Sequence, residues 1–176
     1  PTLVDTNLLL SPMAIKTQSQ GAAFVHNLIV GQLCMWPEPG RFTPYHLPHS
    51  TEVAGLSTIF SGDDRYYNNI FLGFGKELNN KNSRCNYGLV GYNDTKLPVW
   101  ISGNIYYNKA IAFKEANNNV ENPNFKPDFK IEEEGNQVYL NITLDESVAE
   151  LKTRFITTEI LGKAKMPNEA FENPDG

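Results

Sequence analysis

The sequence predicts an all-β chain built from the coils of a parallel β-helix, on three observations. First, the composition is made for turns: 176 residues include 20 Asn, 13 Gly and 11 Pro. These residues mark bends and left-handed backbone. Second, long runs of Ala, Leu, Glu and Lys, which would make helices, are missing. Third, four segments share one phase: LVDTNLLL, FVHNLIV, YYNNIFL and WISGNIYY. In each, an Asn is followed by three apolar or aromatic residues, and the Asn positions are 7, 27, 69 and 104. A strand, an Asn bend and a second strand recurring at about 20 residues is the signature of stacked coils.

The coils justify the elements in order. Asn at the bend is expected to take the left-handed conformation, and its amide to hydrogen-bond the Asn of the next coil. The separations of 20, 42 and 35 residues imply long insertions, at residues 31–63 and 73–98, where alternation fades. Residues 117–127, with three consecutive Asn and two Pro, read as a linker. Beyond it, Phe129 and Ile131 alternate with polar residues, Gly135-Asn136 makes a turn, and Val138, Leu140, Ile142 and Leu144 alternate again, so a hairpin is expected. Asp145 caps a short helix with Val148 and Leu151 inward, and residues 153–161 read as a further strand. The expected division is residues 1–116 as β-helix rungs with a substrate-facing loop at 31–63, and residues 117–176 as a small β cap on the coil end. An open coil end exposes strand edges and favours self-association as a homo-oligomer, or association with the N-terminal part that this piece lacks. The abrupt start at Pro1-Thr2 and the closing turn at Pro174-Asp175-Gly176 read as those of a piece of something longer.

Several function classes drop out. A net charge of −5 with 15 basic against 20 acidic residues gives no footprint for nucleic acid. No apolar run is long enough to span a membrane. Two cysteines, Cys34 and Cys85, cannot make a disulfide framework or a Cys-rich zinc site; Cys34 reads as buried packing, and His26 as a wall residue of its rung. No cofactor is implied, and no acidic cluster demands calcium.

The densest polar and aromatic stretch is 35–52, MWPEPGRFTPYHLPHSTE. Pro37, Pro39, Pro44 and Pro48 stiffen it without regular structure. Trp36, Phe42 and Tyr45 offer flat faces for sugar rings, and Arg41, His46, His49 and Glu52 offer hydrogen bonds to hydroxyls. A metal site of His46, His49 and Glu52 is disfavoured, because the prolines prevent a helix from aligning the ligands. A triad through Ser50 lacks a nucleophile elbow. Asp63-Asp64-Arg65 reads either as a solvated turn with a local ion pair, or, with Glu52, as a source of carboxylates for glycoside hydrolysis. Carboxyl groups about 5 Å apart serve retaining glycosidases, and stacked strands lie about 4.8 Å apart.

The segments LVDTNLLLSP (3–12), GAAFVHNLIVG (21–31), TPYHLPHSTEVAGL (43–56), GDDRYYNN (62–69) and TTEILGKAKMP (157–167) together resemble β-xylosidases of glycoside hydrolase family 120, over nearly the whole chain. The resemblance implies a right-handed parallel β-helix and a retaining, exo-acting, cytoplasmic enzyme acting on short xylo-oligosaccharides. It also implies that the nucleophile and acid/base pair precede Pro1. This chain would then supply scaffold and substrate contacts, with Trp36, Arg41, Tyr45, His46, His49 and Glu52 as the substrate-binding set. Glu52 and Asp64 remain the alternative catalytic pair. The alternative function is a non-catalytic β-helix module that binds carbohydrate or acts as a scaffold.

Overall fold

The computed structural model describes residues 2–47, 50–74 and 84–163. Its architecture follows from short strands that meet at tight bends. The first coil is β1 (Thr2–Asp5), β2 (Leu8–Leu9) and β3 (Met13–Thr17), and the second is β4 (Ala22–Val25), β5 (Leu28–Val30) and β6 (Gln32–Met35). A hairpin of β7 (Glu38–His46) and β8 (Val53–Ile59) then leaves the stack. The third coil holds β9 (Arg65–Tyr67), β10 (Ile70–Leu72) and β11 (Cys85–Tyr87), the fourth β12 (Trp100–Ser102) and β13 (Ile105–Tyr107), and the fifth β14 (Val120–Asn122). Like strands stack: β1-β4-β9-β12 form one sheet, β2-β5-β10-β13-β14 a second, and β3-β6-β11 a third. All pairs are parallel except β6 with β11. The chain is thus mostly strand with parallel sheets, as a β-helix requires.

The stack holds together through two kinds of column. Inside, Ile29, Phe71 and Tyr106 lie one above another, and Phe24 over Tyr66, all in the core. The Phe24–Tyr66 and Phe71–Tyr106 rings are stacked, with centroids 4.7 and 5.1 Å apart; such pairs add about 1 kcal/mol beyond burial. At the bend, each Asn passes its amide to the next coil. The backbone N–H groups of Asn7, Asn27, Asn69 and Asn104 donate to the Oδ1 of Asn27, Asn69, Asn104 and Asn119, at 2.9–3.1 Å. The ladder expected from the sequence is therefore present, with Asn119 as a fifth member.

The left-handed residue is not the ladder Asn but the one before it. Thr6, His26, Asn68, Gly103 and Asn118 have φ between 45° and 75° (56°, 55°, 55°, 74° and 48°). His26 is accordingly a partly exposed bend residue rather than a wall residue. Its Nδ1 meets Asp5 Oδ1 at 3.2 Å, and its Nε2 meets Asn68 Nδ2 at 3.2 Å.

Other expectations are revised. The 31–63 insertion begins with β6, a regular coil strand whose four residues are all buried, and so shows no alternation. Pro39 and Pro44 lie within β7 of a two-stranded hairpin that, among the described residues, no other strand joins. Residues 117–127 contribute β14 to the stack rather than a bare linker. Cys34 is bonded to Cys85 across the β6–β11 pair.

The C-terminal hairpin forms as expected, β15 (Phe129–Glu134) against β16 (Gln137–Ile142), followed by the Asp145-capped 3-10 turn Glu146–Glu150. It packs on the flank of the second sheet: Phe129, Leu140, Ile142, Val148 and Leu151 cover Leu28, Val30, Leu72, Ile105 and Tyr107. Residues 153–161 are an extended segment ending in α1 (Thr158–Leu161), not a strand. Together, residues 152–163 form a belt across the coils. Asn118 Nδ2 donates to the Lys152 carbonyl and Asn68 Nδ2 to that of Arg154. Ile156, Ile160 and Leu161 cover Ala23, Val25 and Tyr67.

Candidate functional site

The site grows from the junction where β8 returns to the stack. Ser61, Gly62 and Asp63 are three consecutive residues with positive φ (63°, 102° and 54°). This conformation costs a non-glycine residue free energy. It is fixed by pairing with residues 97–98: Leu97 N–H donates to the Ser61 carbonyl, and Asp63 N–H to that of Pro98. Gly62 is required here, because a Cβ would run into the Leu97 carbonyl.

The turn places Asp63, Asp64 and Arg65 in the interior, exposed by 1, 1 and 5 %. The run is thus no solvated surface turn. Arg65 Nη1 bonds the Asp63 carboxylate at 2.7 Å. Its guanidinium lies 4.2 Å from the Trp100 ring centroid, and Nε and Nη2 donate to the carbonyls of Leu161 and Lys163 at 2.9 Å. Arg65 therefore fastens the belt to the stack.

Asp64 points the other way. One oxygen accepts from Ala22 N–H at 2.9 Å, and the second from the Tyr92 hydroxyl at 2.7 Å; Tyr92 also meets the Tyr66 hydroxyl at 2.9 Å. Burial, the largest effect, pushes the Asp64 carboxyl up to about 6. The Ala22 and Tyr92 hydrogen bonds oppose it, Asp63 adds to it and Arg65 subtracts. Burial also drives the Tyr66 and Tyr92 hydroxyls well above their usual range.

Of the residues singled out in the sequence, Tyr45 is the one that reaches this cluster. It is half-buried on β7, and its hydroxyl donates to the Thr58 carbonyl at 3.3 Å. Burial raises its pKa, a hydrogen bond with Gln20 lowers it, and the charge of Asp63 raises it. Gln20 in turn accepts from Phe60 N–H at 3.0 Å. Among the described residues, Ser61 Oγ is buried without a hydrogen-bond partner.

The others are spread out. Trp36 is half-buried at the foot of the hairpin, with Lys16 Nζ 5.3 Å from its ring centroid. Arg41 is exposed on β7. His46 is exposed at the end of β7, where the register shifts after Tyr45; its Nδ1 lies 3.1 Å from the Thr51 carbonyl oxygen. Glu52 is exposed in the hairpin connection, where its N–H donates to Ser50 Oγ at 2.9 Å. His49 lies outside the described residues. Glu52 in solvent and Asp64 with both oxygens engaged occupy opposite environments. Gln20, Ser61 and Tyr92 carried no sequence motif; only the Gly-Asp-Asp run at 62–64 pointed to their neighbourhood. Among the described residues, no three His, Cys, Asp or Glu side chains converge as a metal site would need, and no helix is long and apolar enough to cross a membrane.

Comparison with known proteins gives one firm likeness. The solved structure of XylC in complex with xylose matches 99 % of this chain at a TM-score of 0.80 and 34 % identity. The chain spans 30 % of the length of that protein. No protein-family profile matches, and no curated protein sequence does either.

Proposed function

We propose that this chain is part of a retaining glycoside hydrolase of the β-xylosidase type, built on a right-handed parallel β-helix, which acts on short xylo-oligosaccharides. The observation that carries the reading is the 34 % identity over 99 % of the chain with the xylose-bound XylC structure. In this reading residues 1–116 are the rungs and residues 117–176 the covering segment. The β7–β8 hairpin faces substrate, and the nucleophile and acid/base pair lie in another part of the protein. Tyr45, held between Gln20, Thr58 and the Asp63 charge, anchors the hairpin to the stack. Trp36, Arg41, His46, His49 and Glu52 supply the ring platform and hydroxyl contacts.

The test is release of xylose from xylobiose or an aryl xyloside by the longer protein. Glu52→Gln is expected to raise KM or lower turnover several-fold; unchanged kinetics removes Glu52 from the site. The 176-residue chain alone is expected to be inactive. Hydrolysis by it would instead make Glu52 and Asp64 the catalytic pair. A non-catalytic carbohydrate-binding or scaffold module is the second reading. It is favoured by the engagement of both Asp64 oxygens inside the stack, and is upheld if the longer protein binds xylo-oligosaccharides without cleaving them.

A further inference from the structure

The two sulfurs of the Cys34–Cys85 bond occupy unlike places. In the third sheet β6 lies between β3 and β11, and β11 is at the edge. The bond crosses the β6–β11 pair, which runs antiparallel. Cys34 is 0 % exposed, in the middle of the sheet. Cys85 is half-buried on the edge strand, one residue after the exposed Arg84. A thiolate opens a disulfide by attacking one sulfur and expelling the other, and access decides which is attacked. Cys85 is the residue of the two that solvent touches, so its sulfur is the one attacked and Cys34 the one expelled.

What the bond holds is the foot of the β7–β8 hairpin. The chain leaves the stack just after β6, at Trp36 and Pro37. Met35 N–H donates to the Arg84 carbonyl at 3.2 Å, and Trp36 N–H to the Thr17 carbonyl at 3.3 Å. Arg84 thus neighbours one bonded cysteine and accepts from the neighbour of the other. The cysteines are 51 residues apart in sequence, and the whole hairpin lies between them. The segment that follows Cys85 is anchored by other means. Tyr87, Leu89 and Tyr92 are buried in the core, and Leu89 N–H donates to the Ile111 carbonyl at 2.8 Å. Opening the bond therefore frees residues 84–86 and the foot at 35–37, and leaves the coils closed.

We infer that Cys85 is a thiol-exchange site, with low-molecular-mass thiols and dithiols as its reactants, and that opening the bond there loosens the foot of the hairpin. The overall step is a two-electron reduction. The reductant's thiolate bonds to Cys85 Sγ as the Cys34–Cys85 bond breaks, and Cys34 leaves as a thiolate that takes up a proton. A second thiol then attacks the reductant's sulfur in this mixed disulfide, forms the reductant's own disulfide and releases Cys85 as a thiol. A monothiol in limited amount stops at the mixed disulfide on Cys85. Disulfides persist in oxidising surroundings and open in reducing ones, so the hairpin foot responds to the redox state around it. That the foot bears on substrate rests on the β-xylosidase reading above; the exchange at Cys85 does not.

The experiment uses the full chain with no sugar present, so its failure does not touch the proposed activity. The folded protein is treated with glutathione, then denatured in excess N-ethylmaleimide, and the adducts are mapped by mass spectrometry. Glutathione is expected on Cys85 and N-ethylmaleimide on Cys34. In parallel, amide hydrogen exchange is followed before and after reduction with dithiothreitol. The Met35 and Trp36 amides are expected to exchange at least ~10-fold faster once the bond is open, as a local opening does. The Leu28 and Ile70 amides, which donate to the Asn7 and Asn27 carbonyls within the coils, are expected to stay protected. Cys85→Ser should reproduce this pattern without reductant and take up no glutathione. Glutathione on Cys34, a bond that resists reduction until the protein unfolds, or unchanged exchange at Met35 and Trp36 would each overturn the inference. So would loss of protection at Leu28 and Ile70 together with Met35, which would make the bond a staple of the whole stack.

Discussion

The coil stack and the β7–β8 hairpin are both made of short strands, yet they are held in different ways. In the stack, each inner coil is sandwiched between two others. Asn69 alone accepts from the N–H and Nδ2 of Asn27 and donates to the Phe24 carbonyl and Asn104 Oδ1, all within 3.0 Å. Among the described residues, the hairpin strands pair only with each other. It leaves Phe42, Leu47 and Val53 exposed, and meets the stack through side chains such as Tyr45. A two-stranded ribbon is marginal by itself in water. The difference teaches that stability here comes from repetition, while the departures from repetition carry the residues suited to binding.

The comparison can be broken at its strongest point first. Arg65→Ala removes the guanidinium paired with the buried Asp63 carboxylate and unfastens the belt. Breaking a buried pair from one side costs about 4 kcal/mol, and chemical denaturation should show that loss with earlier proteolysis within residues 152–163. A loss under 1 kcal/mol would mean the belt is held by its apolar contacts alone. Next, Asn69→Ala removes four side-chain hydrogen bonds, among them the acceptor of the buried Asn27 N–H, and should cost on the order of 3 kcal/mol, whereas Asn7→Ala in the first coil should cost under about 1. Equal costs would deny that the ladder works by enclosure.

Asp64 sharpens the comparison through pH. Its folded pKa, about 6, lies above the ordinary value of 3.8. The folded state therefore binds its proton more tightly than the unfolded chain. The stability this group contributes is complete below about pH 4 and lost as pH rises through 6, in total on the order of 2–3 kcal/mol. In Asp64→Asn the group cannot titrate. The stability difference between variant and parent should then shift in the variant's favour between pH 4 and 7. A difference independent of pH would remove the buried carboxyl from the titration. The smallest effect belongs to the hairpin: Tyr45→Phe removes the hydroxyl contacts with Thr58 and Gln20 and should cost about 1 kcal/mol, while raising protease sensitivity within residues 38–59. Loss of global stability comparable to Asn69→Ala would show the hairpin to be as integral as the coils.

The sequence made the repeated part legible and the exceptions obscure, for physical reasons. Asn7, Asn27, Asn69 and Asn104 stood out because an apolar triplet follows each one. Asn119 is followed by Val120, Glu121 and Asn122, and lies in an Asn run that looks like a linker, so it escaped. The left-handed residue could not be read from identity, since Thr, His, Asn and Gly all occupy that place. β6 hid because Leu33, Cys34 and Met35 are buried together and do not alternate. The belt was misread as a strand because its anchors are carbonyls gripped by Arg65, 96 and 98 residues away, and backbone carbonyls leave no mark in a sequence. In the candidate site, Tyr45 was visible as an aromatic among prolines. Its link to Gln20 and Asp63 depends on where the hairpin lands.

The belt also bears on time. Like a hoop driven over staves, it can seat only after the coils beneath it are in place, because Asn68, Asn118 and Arg65 must first be brought to one side. Contacts closed after the rate-limiting step add nothing to the speed of assembly but slow its reversal. The Arg65 clasp should therefore set how long the molecule persists, leaving the pace at which it forms to the coils.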